Sequence, residues 1–350
     1  MKNLVIDLIP GDGIGREVIR EGVRVMDALS KLHGDVKFTY RPFEWSCEYY
    51  LKTGQMMPPD GLSQLSDCDA ILLGAVGFPG VPDHISLREL LLPIRVGFDQ
   101  YVNLRPVKLL DGLDSPLKND AIDFVCIREN SEGEYCGKGS FENVGTPEEK
   151  AVQLGVFTRK GTERILRYAF EYAVRHGRNN VISATKSNAL NYSMVFWDKI
   201  YEEVRKDYPD ISSSKMHIDA LAGYFIMHPD RLQVVVASNL FGDILTDLGS
   251  AMLGSIGISP SGNINPEKKY PPMFEPIHGS APDIAGRNIA NPVGTFWAIA
   301  MMLDELGETA MAERLMNAME AVLRERKVRT GDIGGTATTT EVTDAIIARL

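Results

Sequence analysis

The chain has 350 residues and a formal net charge of −10, and 44% of its residues are hydrophobic and 24% charged. This length predicts about two globular domains, and the negative charge argues against nucleic acid as a partner. The sequence contains neither an apolar run long enough to cross a bilayer nor a signal peptide, which predicts a cytoplasmic protein without membrane spans.

The four cysteines show no paired spacing of the metal-binding kind. Cys47, Cys68, Cys126 and Cys136 are therefore predicted to be reduced and mostly packed. An anionic substrate, which the net charge disfavours, would require a local cluster of arginines.

The first predicted element is a short apolar strand, Leu4–Ile9, followed by the glycine-rich turn Pro10–Gly15 and an amphipathic helix. A strand, a glycine turn and a helix form a βα unit of the kind that binds nucleotides. The spacing is not Gly-x-Gly-x-x-Gly, however, and such turns are common for steric reasons alone. A second buried strand, Asp69–Gly74, leads into the loop Ala75–Pro82.

Three arginines follow at or beyond the ends of three successive elements. Arg95 lies in a predicted helix that starts at about Ser86, Arg105 lies in an extended segment, and Arg128 follows the strand Ile122–Ile127. Singly, each is a typical surface charge. Together, in a protein of net negative charge, they would form a bidentate clamp for a dicarboxylate.

The middle of the chain is predicted to alternate helix and strand. Residues Gly139–Ala151 have the character of a mobile connection, and the helices Lys160–His176 and Ala189–Tyr208 enclose the strand Asn180–Ala184. Lys186 comes just past that strand, at the edge where parallel sheets meet their ligands. A solvated lysine is the plainer interpretation of the same position.

The stretch Val234–Ile258 is predicted to be a buried strand followed by a helix. In that helix Asp243 and Asp247 lie one turn apart. They neighbour a predicted core face made of five residues, Ile244, Leu245, Leu248, Ala251 and Met252. Because neighbouring carboxylates repel each other, the pair either faces water or holds a hard cation such as Mg²⁺ or Mn²⁺. Asp219 offers a third carboxylate.

The loop Glu275–Asn291 is long and irregular, and loops of this length in compact domains usually carry function. Helices are predicted for Gly294–Leu306 and Thr309–Arg326, and a capping box at Thr338–Glu341 opens the last helix.

Five motifs together resemble those of one family, the NAD(P)-dependent β-decarboxylating dehydrogenases of 2-hydroxy acids. They occur in the family order: Gly11–Gly15, Asn103–Pro106, Arg128–Asn130, Asn239–Asp243 and His278–Asp283. Three further stretches are similar to the D-malate/tartrate dehydrogenase branch: Glu44–Tyr50, Val81–Leu87 and Phe98–Tyr101. The resemblance runs nearly from end to end of the chain.

The resemblance first implies an architecture. The expected fold is the α/β, isopropylmalate/isocitrate dehydrogenase-like fold, with two α/β domains, and not a standard Rossmann fold. Residues 1–100 and 255–350 would form a large domain that carries the cofactor loop, and residues 101–254 would form a central domain. The central domain would make the interface of a homodimer whose active site is shared between the subunits.

The resemblance also implies roles for single residues. Metal ligands are implied at three aspartates, two from one subunit and the last from the other: Asp243, Asp247 and Asp219. Substrate-binding residues are implied at Arg95, Arg105 and Arg128, and proton-transfer residues at Tyr135 and Lys186. Cofactor contacts are implied at Ile14, Asn188, Glu275, His278, Gly279, Ser280, Ala281, Asp283 and Asn291. A monovalent cation is a further candidate cofactor.

The implied activity is the metal-dependent oxidation of a 2-hydroxy dicarboxylic acid by NAD with loss of CO₂, which converts D-malate to pyruvate and extends to tartrate. NAD is expected rather than NADP because Asp283 would bind the ribose 2′-hydroxyl and repel a 2′-phosphate. 3-Isopropylmalate is the alternative substrate, since Leu90, Leu91 and Leu92 would line an apolar pocket. Arg88 would either extend the anionic pocket or face solvent.

A non-catalytic regulatory subunit is the alternative from another class of protein. Such a subunit would be expected to lose ligands, whereas this chain retains every arginine, aspartate and proton-transfer residue of the implied site.

Overall fold

A computed structural model describes residues 2–350. These residues form twelve strands: β1 (Lys2–Gly11), β2 (Val36–Pro42), β3 (Ala70–Ala75), β4 (Val102–Lys108), β5 (Asp123–Glu129), β6 (Gly139–Glu142), β7 (Lys150–Gln153), β8 (Asn180–Thr185), β9 (Ser212–His217), β10 (Val234–Ala237), β11 (Pro260–Ile264) and β12 (Met273–Pro276). The same residues form twelve α-helices: α1 (Gly15–His33), α2 (Cys47–Thr53), α3 (Gly61–Leu65), α4 (Asp83–Ser86), α5 (Leu92–Gly97), α6 (Arg159–Arg175), α7 (Ser193–Val204), α8 (Ile218–Met227), α9 (Asn239–Met252), α10 (Val293–Glu305), α11 (Thr309–Glu325) and α12 (Thr339–Ile347). A π-helical turn, Leu87–Leu91, connects α4 and α5.

Within residues 2–350, ten strands form one continuous sheet in the order β2-β1-β3-β12-β11-β4-β5-β10-β8-β9. Its two ends are parallel groups, β2-β1-β3-β12 and β5-β10-β8-β9. Strands β11 and β4 join the groups through three antiparallel pairings, so the groups run in opposite directions. The predicted α/β class is confirmed, and the parallel groups explain why β-branched strands such as β10 are buried on both faces.

Helices cover both ends of the sheet. Helices α1 and α10 pack on the first group and on β11, whereas α6, α7 and α9 pack on the second group and on β4. The predicted division of the chain at residues 100 and 255 falls at the pairing of β11 with β4, and it stays a prediction.

Helix α9 follows β10 as predicted, but its predicted core face is partly wrong. Leu245 and Met252 are buried and Leu248 is half-buried, whereas the side chain of Ile244 is 55% exposed and Ala251 is also exposed. The hydrophobic periodicity therefore identified the helix correctly and misjudged its rotation.

The rotation of α9 is fixed by two glycines that lie against the sheet. A Cβ atom at Gly242 would lie 2.6 Å from side-chain atoms of Arg128, and one at Gly249 would lie 2.8 Å from a methyl group of Val107. Only a glycine allows the helix to approach these side chains so closely. This close contact brings the backbone next to Asp243 against the arginine.

Three other expectations can be compared with the structure. Gly139–Ala151 was expected to be a mobile connection, but β6 and β7 pair here as an exposed antiparallel hairpin. All four cysteines lie in the described residues and are free; Cys136 is half-buried and the other three are buried. No helix within residues 2–350 is long and apolar enough to cross a membrane.

Gly74 provides a test of how closely α1 approaches β3. A Cβ atom at Gly74 would lie 2.4 Å from the carbonyl oxygen of Pro10 and 2.8 Å from the Cα of Gly15, and both are backbone atoms rather than the end of a flexible side chain. We therefore expect Gly74→Ala to lower the free energy of unfolding by about 1–3 kcal/mol, measured by urea denaturation.

Gly331→Ala is the matched control, because a Cβ there would have no heavy atom within 4 Å in the described chain. Its unfolding free energy should change by less than about 0.5 kcal/mol. A Gly74→Ala protein as stable as this control would contradict the packing of α1 on β3.

Candidate active site

The three predicted arginines are buried side by side. Arg95 in α5, Arg105 in β4 and Arg128 in β5 are 5%, 6% and 2% exposed. The guanidinium charges lie close enough to affect one another: burial, together with the charge of Arg95, holds the pKa of Arg105 below its ordinary value. Three buried cations that lie close together need anions beside them.

Two carboxylates supply that compensation. Arg128 Nη1 donates to Asp243 Oδ1 over 2.5 Å, and Arg105 Nη1 lies 3.4 Å from the same oxygen. Arg95 Nη2 donates to Glu275 Oε1 over 2.8 Å. The structure therefore brings the arginines together with Asp243 from α9 and with Glu275 from β12.

The two aspartates of α9 differ in their electrostatic environment. Burial tends to raise the pKa of Asp243, but the charges of Arg128 and Arg105 lower it below the ordinary value. Burial and the charge of Asp243 instead raise the pKa of Asp247. The repulsion anticipated between these carboxylates is present, and the arginines neutralise only one of the pair directly.

Tyr135 lies beside Asp243. Its hydroxyl donates to Asp243 Oδ2 over 2.9 Å, and the Arg128 guanidinium carbon lies 5.5 Å from the centre of its ring. Burial, and then the charge of Asp243, raise the pKa of Tyr135, which keeps the phenol protonated. A protonated phenol in this position can donate a proton to a bound substrate.

Asparagines to which the sequence interpretation assigned no role hold these charges in place. Asn239 Oδ1 accepts from Arg128 Nε and Nη2 over 3.2 and 2.7 Å. Asn263 Nδ2 donates to Glu275 Oε1 over 2.8 Å, and Asn263 Oδ1 accepts from Asn103 Nδ2 and Asn130 Nδ2 over 3.0 and 2.9 Å. Asparagine is depleted from strands, so buried asparagines in β4 and β11 were the available signal.

Lys186 and Asp219 form a second, separate cluster. Lys186 Nζ lies 2.7 Å from Asp219 Oδ1, and this hydrogen bond lowers the pKa of the exposed Asp219 carboxyl. Within residues 2–350, no group of three His, Cys, Asp or Glu side chains is arranged to hold a metal ion. One chain therefore does not bring Asp219 to Asp243 and Asp247.

A cavity of about 520 Å³ lies beside the long loop Glu275–Asn291. Four predicted cofactor residues line it: Ile14, His278, Ala281 and Asn291. Burial lowers the pKa of His278, so this ring is neutral in the cavity wall. Asp332, which the sequence interpretation missed, lines the same cavity and accepts a hydrogen bond of 2.9 Å from Asn291 Nδ2.

A neighbouring open cleft of about 800 Å³ accounts for two further predicted residues. Gly279 and Ser280 line it together with the loop Val76–Asp83. Asp283 and Asn188 are exposed and are outside the residues that line the two cavities. Glu275, the remaining residue of the predicted cofactor set, forms an ion pair with Arg95, as described above.

The first glycine turn forms one wall of these cavities. The N–H of Ile14 donates to the carbonyl oxygen of Ser280 over 2.9 Å, and a Cβ at Gly13 would lie 2.0 Å from that oxygen. Gly13 has a positive φ of 54°, so both its conformation and its close approach require glycine.

Arg88 does not join the three arginines. In a regular helix it would share the face of Arg95, seven residues later, but the π-helical turn between them changes the rotation. Arg88 is exposed, and its guanidinium occupies the space where a Cβ at Gly137 would lie. It lines a separate cavity of about 340 Å³ beside Tyr135.

Comparisons with known proteins agree with this architecture. Residues 5–346 match the model of the family described as isocitrate/isopropylmalate dehydrogenase. The chain is 51% identical, over 100% of its length and 99% of the relative's, to a protein of Bacillus subtilis (strain 168) named probable tartrate dehydrogenase/decarboxylase. It is 52% identical, over 99% and 98% of the two lengths, to the D-malate dehydrogenase [decarboxylating] of Escherichia coli (strain K12).

Among solved structures, the isocitrate dehydrogenase from Methylococcus capsulatus superposes with a TM-score of 0.89 at 34% identity. The superposition covers 100% of this chain and 99% of that one, and therefore includes both ends of the ten-stranded sheet. The expected fold is confirmed, and the chain belongs to the isocitrate/isopropylmalate dehydrogenase family.

Proposed function

We propose that this protein is an NAD- and metal-dependent decarboxylating dehydrogenase that converts D-malate to pyruvate and CO₂ and also accepts tartrate. One observation carries the proposal: three buried arginines lie beside Asp243 and Tyr135. The named relatives described above support the same reaction class.

The arginines retain donors for a dicarboxylate. In the described chain, the hydrogen bonds of Arg95 involve Nη2 alone, and those of Arg105 involve Nη1 alone. Each guanidinium carries five N–H donors, so several are free to bind carboxylate oxygens. Arg128 is committed to Asp243 and Asn239 and serves mainly to hold the site together.

The acidic side chains fit a divalent cation. Asp243 and Asp247 offer hard oxygen ligands one helical turn apart, and burial together with the charge of Asp243 raises the pKa of Asp247. The third ligand would be Asp219 of the partner subunit. A homodimer with a shared site accounts for the separation of Lys186 and Asp219 from the arginines within one chain.

The cavities beside the long loop fit a dinucleotide. One cavity is large enough for an adenine ring and has an apolar wall that includes Ile14, Ala281 and Ile284. The cleft next to it is lined by Gly279 and Ser280. The carboxylate of Asp332 in this cavity, with Asp283 on the adjoining turn, would repel a 2′-phosphate. These residues favour NAD over NADP.

The reaction then follows from what the side chains can do. Lys186 of the partner subunit accepts the proton of the 2-hydroxyl group, while Arg95 and Arg105 hold the two carboxylates in register. A bound divalent cation would polarise the hydroxyl and keto oxygens, and the nicotinamide would accept the hydride. Loss of CO₂ from the β-keto acid leaves an enolate, and the Tyr135 hydroxyl donates the proton that carbon 3 requires.

3-Isopropylmalate fits this site less well. Leu90 is fully buried in the hydrophobic core with Ile94 and is not available to line a pocket for an isopropyl group. Leu92 lines the cavity beside Tyr135, but the charged residues Arg88, Glu132 and Lys138 line the same cavity and suit a carboxylate or hydroxyl group better than an isopropyl group.

The proposal is tested by measuring NADH formation with D-malate, tartrate and 3-isopropylmalate in the presence of Mg²⁺ or Mn²⁺. We expect the highest kcat/KM with D-malate, and we expect EDTA to abolish the rate and added metal to restore it. A protein that forms no NADH from any of these acids would instead support the regulatory-subunit alternative.

Cofactor choice is measured as the ratio of kcat/KM values with NAD and NADP. Because acidic side chains line or adjoin the adenosine cavity, NAD should be favoured by at least about tenfold, which corresponds to about 1.4 kcal/mol. Replacing the acidic charge by Asp283→Asn should reduce the ratio, and equal use of both cofactors by the unaltered protein would contradict the proposal.

Sharing of the active site is tested with two inactive variants, Asp247→Asn and Asp219→Asn. A mixture that exchanges subunits should regain about a quarter of the unaltered activity, since half the dimers are mixed and each of those has one intact site. Each variant subjected alone to the same exchange is the control. If confirmed mixed dimers remain inactive, all three aspartates act within one chain.

A further inference from the structure

Helix α9, which carries Asp243, is capped by a residue from outside the helix. Ser238 is its N-cap residue, yet within the described chain its hydroxyl makes no capping bond to the helix backbone. Instead, Ser238 Oγ donates to Glu134 Oε1 over 2.8 Å, and the N–H of Leu240 donates to Glu134 Oε2 over 3.2 Å. A carboxylate at this position satisfies one of the unpaired N–H groups that begin every helix and complements the helix dipole.

Glu134 is also the neighbour of Tyr135 in the chain. The same two residues therefore contact α9 at two points, Glu134 at its first turn and Tyr135 at Asp243 one turn later. Two contacts fix both the distance and the rotation of the tyrosine loop against the helix, whereas the phenol–carboxylate bond alone would fix neither.

The preceding residues of the loop are anchored to other elements. Gly133 pairs with Val156 through two backbone hydrogen bonds of 2.8 and 3.1 Å, and Glu132 accepts from the backbone and hydroxyl of Thr158 at the start of α6. The Glu132 carbonyl also accepts from Asn239 Nδ2 over 3.2 Å. Between this anchor and Tyr135, the carboxylate of Glu134 is the next attachment to α9.

We propose that Glu134 is a positioning residue for the proposed reaction: by capping α9 it holds the Tyr135 hydroxyl at Asp243, where the proton for carbon 3 is delivered. The inference rests on the proposed function, because it concerns the step assigned there to Tyr135. It also assigns a role to a charged side chain that neither touches the arginines nor lines the cavities beside the long loop.

The test compares Glu134→Ala and Ser238→Ala with the unaltered protein on D-malate. Glu134→Ala should lower kcat by about tenfold, because a displacement of about 1 Å at a catalytic group has effects of this order or larger. The kcat/KM values for D-malate and NAD should stay within about twofold, because the slowed step follows the loss of CO₂ and because Arg95 and Arg105 keep their contacts; the KM values should therefore fall together with kcat. Ser238→Ala removes one of the two hydrogen bonds to the Glu134 carboxylate and should lower kcat less than Glu134→Ala does.

The double variant should be no slower than Glu134→Ala alone, because Ser238 acts through the Glu134 carboxylate. Glu134→Gln should fall between the unaltered protein and Glu134→Ala, since its amide keeps one acceptor oxygen. Glu313→Gln is the control: Glu313 is exposed, and its side chain has no hydrogen bond or ion pair within the described residues. It should match the unaltered protein in kcat and KM.

Two readouts separate positioning from loss of structure. Mn²⁺ binding to Glu134→Ala, measured by electron paramagnetic resonance, should be unchanged, because both aspartates of α9 remain in place. The deuterium isotope effect on kcat with 2-deuterated D-malate should be no larger than in the unaltered protein, because the slowed step comes after hydride transfer. An unchanged kcat, a lost Mn²⁺ affinity or an enlarged isotope effect would each overturn the proposal.

Failure of the proposed function gives a different result. In that case the unaltered protein and Glu313→Gln would themselves form no NADH from D-malate. If the unaltered protein and Glu313→Gln are both active and Glu134→Ala has a lower kcat, the result concerns the positioning role of Glu134 and not the proposed function.

Discussion

The burial of three guanidinium groups side by side is the constraint on which the rest of the site depends. An uncompensated buried charge costs several kcal/mol, so each arginine needs an anion or an amide oxygen within reach. Asp243 forms ion pairs with Arg105 and Arg128, and Glu275 forms an ion pair with Arg95. Since these five residues come from α5, β4, β5, α9 and β12, their pairing fixes how elements distant in sequence meet.

The sheet explains why those elements can meet. Its two parallel groups run in opposite directions, and β11 and β4 join them, so residues of both groups converge at the junction. The buried asparagines lie at the same junction: Asn103 in β4 and Asn263 in β11 bond each other and extend to Glu275. Hydrogen bonds between these buried amides rigidify a core that already contains charges.

Close backbone approach decides details that periodicity cannot supply. The apolar spacing of α9 located the helix, but it placed Ile244 in the core, where the structure puts Gly242 against Arg128. A hydrophobic pattern identifies apolar side chains, whose burial is favourable. A glycine has no side chain and is buried here because it lets the helix backbone approach a neighbouring residue closely. The position of Arg88 could not be predicted for a similar reason, since the spacing of apolar residues does not reveal a π-helical turn.

The sequence by itself determined the family, the α/β class and the residue types of the site, because five short motifs occur in one order and carry chemistry that few folds combine. Only the tertiary structure decided which atoms meet. In the fold, Asp243 contacts the arginines and Tyr135, whereas Asp219 pairs with Lys186. Asn239 accepts hydrogen bonds from Arg128 and so supports the site. The physical reason is that hydrogen bonds and charge pairs act over about 3–4 Å, a distance that depends on strand order and helix rotation and not on position along the chain.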